Sequence, residues 1–200
     1  DQVIREYIQT QEFNGERPES QLNLAGLYTD LGQFEKAEQS YRKALQLQPR
    51  FIPAYVNFAQ MLSNRGREVE AANLLRAGIA KSPESADIYH ALGLSQVRQK
   101  KTGEAIDSLA RAAQLAPDNR RYQYVYAVAL QSVGKQERAI ATLEKVHEQQ
   151  PSDAEILYAL VSFNRDAGNR EAALAYARKL QALIPGNPDI AKLVQSLESE

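Results

Sequence analysis

His90 and His147 are the residues best suited to acid–base or metal chemistry in this chain of 200 residues, and neither has a second ligand at metal-binding spacing. His147 falls on the outer face of a helical run, where a solvated side chain is expected. Ser40 and Lys43 match the spacing at which a lysine can activate a serine, but both sit mid-helix, where such a pair arises by chance. Carboxylates stand one helical turn from cations, as Glu38 does from Arg42, which is ordinary surface pairing. The glycines fall at turns or helix crossings, so no phosphate-cradling loop is formed. The chain has no cysteine, which removes disulfides, thiolate metal sites and haem-attachment motifs. With no acid–base constellation, the sequence predicts no enzyme, no cofactor and no metal.

The charge balance argues against nucleic acid and membrane as partners. With 24 basic and 25 acidic residues, net charge −1, the chain lacks the cationic face that nucleic acid or a membrane surface would need. Its longest apolar run, Tyr124 to Leu130, is too short to span a bilayer. A soluble protein is expected, and the absence of cysteine leaves its compartment open.

The elements behind these residues are set by a repeat. Five of the eight prolines, Pro49, Pro83, Pro117, Pro151 and Pro185, stand 34 residues apart, and Ala37, Ala71, Ala105, Ala139 and Ala173 keep step before them. Such a period marks stacked units rather than one globular core. In residues 18–51, Leu24, Ala25, Leu27, Tyr28 and Leu31 recur at helical spacing, and Gly32 interrupts. Phe34, Ala37, Tyr41, Ala44, Leu45 and Leu47 make a second amphipathic run that Pro49 closes. Each unit is therefore a helical hairpin. The pattern predicts five of them, at 18–51, 52–85, 86–119, 120–153 and 154–187. Small residues at Ala25, Ala59, Gly93 and Ala127, and in the alanine column, predict the crossing inside each hairpin. Repeat three has Lys100 in the turn-glycine slot, which predicts a different turn there. Residues 122–130, YQYVYAVAL, favour strand by propensity, yet the period calls for helix.

Asn187, Pro188 and Asp189 form a helix-start signature, so 188–200 is predicted as a capping helix packing through Ile190, Leu193, Val194 and Leu197. At the other end, 1–17 reads as the second helix of a preceding unit whose first helix is missing. That predicts Val3, Ile4 and Tyr7 to be partly exposed or covered by another chain, in a protein cut from a longer one, with weak homodimerisation through that face as one outcome.

The segment NLAGLY…LGQFEKAEQSYRKALQLQP and its four echoes resemble the tetratricopeptide repeat (TPR) family, over residues 18–187. The resemblance implies an all-α fold, a right-handed α–α superhelix of five complete hairpins with a partial N-terminal unit and a C-terminal cap. It also implies that first helices line a concave groove where ligands lie. Carried over column by column, that groove takes Leu22, Val56, His90, Tyr124 and Tyr158 as one stripe, with Leu94 and Val128 beside it. Asn64, Val97, Arg98 and Arg165 lie further along the helices. Asn23 and Asn57 resemble two rungs of the asparagine ladder of O-linked N-acetylglucosamine transferase repeats, whose amides grip an extended peptide backbone. The carboxylate clamp of chaperone adaptors is missing, because Glu19, Leu22, Asn23, Pro53, Val56, Asp87, His90 and Ala91 stand where it needs cations. Only Arg121 supplies one in those columns.

Three functions follow. The first is a non-catalytic module that holds a peptide or partner helix in the groove, anchored by His90, Tyr124 and Tyr158, with Asn57, Asn64 and Arg98 setting polar register. Tyr124 and Tyr158 could equally pad the contact between neighbouring first helices. The second is an appendage of a larger enzyme or a periplasmic multi-haem redox protein, since NGERPES and VYAVALQSVGK resemble repeat segments of some bacterial multi-haem cytochromes. A self-assembly module is the third option.

Overall fold

The computed structural model describes residues 2–199, and among these it contains twelve α-helices and no strand. They are α1 (Gln2–Phe13), α2 (Pro18–Asp30), α3 (Phe34–Leu47), α4 (Ile52–Asn64), α5 (Glu68–Lys81) and α6 (Ala86–Arg98). After them come α7 (Thr102–Leu115), α8 (Arg120–Ser132), α9 (Gln136–Gln149), α10 (Ala154–Asp166), α11 (Arg170–Leu183) and α12 (Pro188–Ser199). The chain divides after Leu115 into two compact units.

In the first unit α1 lies against α2, and the hairpins α2–α3, α4–α5 and α6–α7 follow. First helices also meet, α2 touching α4 and α4 touching α6. The shared core runs through Leu24, Tyr28, Tyr41, Phe58, Leu62 and Leu75. Tyr41 of α3 stacks on Phe58 of α4 at 5.1 Å between ring centroids, which joins one hairpin to the next. Arg67 sits between Glu38 of α3 and Glu70 of α5, and Arg76 of α5 reaches Glu104 of α7 at 3.2 Å. The crossing inside α6–α7 requires a glycine. A Cβ on Gly93 would lie 2.6 Å from Leu109 Cγ, far inside contact distance. On α1 no residue is buried, and Val3 is 76%, Tyr7 43% and Phe13 91% exposed.

In the second unit α8 pairs with α9, α10 with α9 and α11, and α12 covers α11. The helix over YQYVYAVAL forms as the period requires, because Tyr122, Ala127 and Leu130 are buried and packing outweighs strand propensity. Asn187 starts α12 by accepting the amide protons of Asp189 at 2.9 Å and Ile190 at 3.3 Å. Ile190, Val194 and Leu197 are then buried.

The turn of repeat three corrects the sequence expectation. Lys100 takes φ 60°, in the same left-handed region as Gly32, Gly66, Gly134 and Gly168. Lys101 N–H donates to Gln96 C=O at 2.9 Å, as Gln33 N–H does to Tyr28 C=O at 2.8 Å. The turn is therefore the same, held by its hydrogen bonds at a cost of about 1–2 kcal/mol for a side chain in that conformation.

Candidate peptide-binding face

The side chains that the repeat places on one face of α2 and α4 line an open concavity in the first unit. It measures about 420 Å³ and is bounded by Tyr7, Leu22, Asn23, Gly26, Leu27, Asp30 and Asn57. Pro18 and Pro53 start the two helices, each in the first turn where its missing N–H costs nothing. Leu22 and Val56 are half-buried against the core, which fixes the rungs beside them. Asn23 and Asn57 are exposed. Asn23 Nδ2 donates to Gln11 Oε1 at 3.3 Å, whereas the Asn57 amide makes no side-chain hydrogen bond to another described residue. The two amides thus border one concavity, with apolar Leu22 and Leu27 as bed and Asp30 as the only charged side chain among the described residues that line it. Sequence reading placed Leu22, Asn23, Asn57 and the acid Asp30 on this face; it did not assign Tyr7 and Leu27 to the same hollow.

Further along, two residues expected to set register are already engaged. Asn64 Oδ1 accepts from Gln60 Nε2 at 2.7 Å. Arg98 is paired with Glu68, and its Nη2 donates to Ser63 Oγ at 3.0 Å. Burial raises the Glu68 pKa, but hydrogen bonds from Ser95, Arg98 and Ser63 together carry it below the usual carboxylate value. The carboxylate is therefore firmly ionised and holds Arg98 in place. His90 also departs from the role of exposed anchor, being only 7% exposed. The reason is that α6 packs on α4, α5 and α7, which leaves little of it open. Leu94 is half-buried and Val97 is exposed.

In the second unit, Tyr124 of α8 is half-buried, while Val128 and Tyr158 are 41% and 42% exposed. Arg165 is exposed and lies 3.9 Å from Asp166. Arg120, at the start of α8, reaches Asp153 at 3.0 Å and also Glu155, which ties α8 to α10.

His147 is not the solvated residue the sequence suggests. It is half-buried between α9 and α11, edge-on to the Tyr176 ring at 5.6 Å, with Nε2 3.1 Å from Lys179 Nζ. Burial, and then the Lys179 charge, hold its pKa below the ordinary histidine value. Burial and neighbouring Glu144, to which the phenol donates at 3.1 Å, push Tyr176 up to about 12. Lys43 pairs with Glu16 at 3.4 Å, and Ser40 is buried, so these two do not form a nucleophile–base pair. Among the described residues no group of three or more His, Cys, Asp or Glu could hold a metal ion, and no helix is long and apolar enough to cross a membrane.

Residues 70–191 match the family described as the cytochrome c-type biogenesis protein H TPR domain, and residues 18–51 match the tetratricopeptide repeat. This chain belongs to the cytochrome c-type biogenesis protein H TPR domain family. Solved structures agree on the fold of this TPR domain. MamA aligns with a TM-score of 0.70 at 22% identity, over 84% of this chain and 92% of that one. YrrB, a TPR protein with an unusual peptide-binding site, aligns at 0.69 and 23% identity, over 95% of this chain and 97% of its own. At such identities the likeness shows the fold alone. Among curated proteins, the protein O-mannosyl-transferase TMTC3 of Homo sapiens is 25% identical over 116 residues, 57% of this chain and 13% of the transferase. The TPR domain therefore spans a small part of that relative's length. As a TPR protein it has the fold of a protein-interaction scaffold.

Proposed function

We propose that this TPR domain is a non-catalytic module that holds an extended peptide segment of a partner protein along its first helices. The observation that carries the reading is the pair of exposed amides, Asn23 and Asn57, bordering one concavity whose bed is apolar. An amide both donates and accepts, so it can grip a peptide backbone whatever the sequence. The leucines beside it supply apolar contact that side chains of the segment can cover. The second unit has apolar and aromatic side chains of its own on its first helices, Tyr124, Val128 and Tyr158, and the charged Arg165. YrrB, of the same fold, has a peptide-binding site.

The family match favours one setting for this activity, a larger protein serving the biogenesis of c-type cytochromes, with the held segment belonging to another protein of that process. This replaces the multi-haem cytochrome as the leading form of the appendage reading.

The reading is tested by selecting a displayed library of short random peptides on the protein and measuring the selected peptides by fluorescence polarisation. Asn57→Ala should weaken binding several-fold while leaving the melting temperature unchanged, because the amide is exposed and makes no internal hydrogen bond. Equal affinity for the parent and for both the Asn23→Ala and Asn57→Ala variants would place binding elsewhere.

A further inference from the structure

The charges on the first unit's first helices select the kind of segment that fits. Helices α2 and α4 contain no lysine or arginine, and the single one on α6 is Arg98. Arg98 is held by Glu68 of α5, so its charge is spent inside the fold. The acids on the same three helices are Glu19, Asp30 and Asp87. Of these, Asp30 lines the concavity itself, beside Leu27 and facing the same hollow as the two amides. Among the described residues no lysine or arginine lines that hollow, and Asp30 makes no salt bridge.

We infer that the segment held in this concavity carries a lysine or arginine whose charged end meets Asp30, and that Asp30 is the residue that sets this preference. The inference rests on the peptide-holding reading above. A long basic side chain matches the hollow in two ways. Its methylene stem covers Leu22 and Leu27, and its cationic head reaches the carboxylate at the end of α2. An acidic side chain at the same place would bring two carboxylates together with no cation to relieve them. Binding set in this way weakens as salt is added, since the pair is exposed.

The same random-peptide selection distinguishes the two levels of the account when it is repeated on Asp30→Asn and Asp30→Lys. Asp30 is exposed at the last position of α2, and a lysine there suits the helix dipole, so both variants should keep the parent melting temperature. Peptides selected on the parent should share a lysine or arginine at one aligned position. They should bind Asp30→Asn about two- to fivefold more weakly, the worth of one exposed ion pair. Selection on Asp30→Lys should turn the same position to aspartate or glutamate. Peptides that depend on Asn57 but show no basic preference, or keep it unchanged on both Asp30 variants, would overturn this inference and leave the peptide-holding reading intact. Peptides that depend on neither Asn23 nor Asn57 would overturn both.

Discussion

The two units carry the same hairpin scaffold but dispose of their charges differently. In the second unit the first helices pair their own charges, Arg120 with Asp153 and Glu155, and Arg165 beside Asp166. Arg121 remains exposed at the start of α8. In the first unit the only cation of α2, α4 and α6 is drawn away by Glu68, which comes from a second helix. Asp30 and the amides Asn23 and Asn57 are left facing an open hollow. One scaffold thus presents tyrosines and paired ions in one unit, and amides with an uncompensated carboxylate in the other. Repeat identity fixes packing, whereas the exposed columns are where the units differ.

The strongest way to break the comparison is to show that the scaffolds are not equivalent. Leu109 of α7 and Leu143 of α9 occupy the same slot one period apart, and both are fully buried. Leu109→Ala and Leu143→Ala should each cost about 2–5 kcal/mol in chemical denaturation. A negligible cost at either would mean that the two units do not pack by one rule.

A smaller effect should come from Glu68→Gln, which removes the carboxylate that holds Arg98 and accepts from Ser95 Oγ at 2.7 Å. Stability should fall by about 1–3 kcal/mol, because Ser95 is fully buried and loses its charged acceptor. The substitution also releases Arg98, so the first unit's basic-peptide preference should diminish. Retention of the full preference would mean that Arg98 does not bear on that face.

The smallest expected effect is a pH response of the second unit. His147 has its folded pKa below the unfolded value of 6.5 through burial and Lys179. The unfolded chain then binds that proton more tightly, so the stabilisation is present above about pH 6.5 and is lost as pH falls below it. The groups that face the ring are Lys179 and Tyr176 from α11, with Glu144 and Glu148 on its own helix. Melting measured across this range should show a slope that His147→Gln removes. An unchanged slope would assign it to other groups.

The architecture was legible because its signals are local and periodic. Prolines and alanines one period apart fixed the hairpins, and Asn187 beside Pro188 marked the start of α12. The period also carried YQYVYAVAL into a helix against its own propensity. Contacts between repeats were harder to read. Glu68 reaches Arg98 and Lys179 reaches His147 across about one period of chain, and column alignment does not tell which long side chain crosses to which neighbour. His90 was misjudged for a related reason, since exposure on α6 depends on how many helices surround it. At Lys100 the composition suggested a new turn, but backbone hydrogen bonds impose the old one. Lys100→Gly should accordingly stabilise the protein by roughly 1 kcal/mol, the lower end of the left-handed penalty, and an unaltered melting temperature would count against that strain.

The central claim is that the first helices of the first unit hold the peptide, and nuclear magnetic resonance tests it most directly. A lysine-containing peptide from the selection is titrated into ¹⁵N-labelled protein. The account predicts the largest shifts at the Asn23 and Asn57 side-chain amides and at the backbone of Gly26 and Asp30. Shifts confined to second helices, such as α3, α5, α9 or α11, would contradict it.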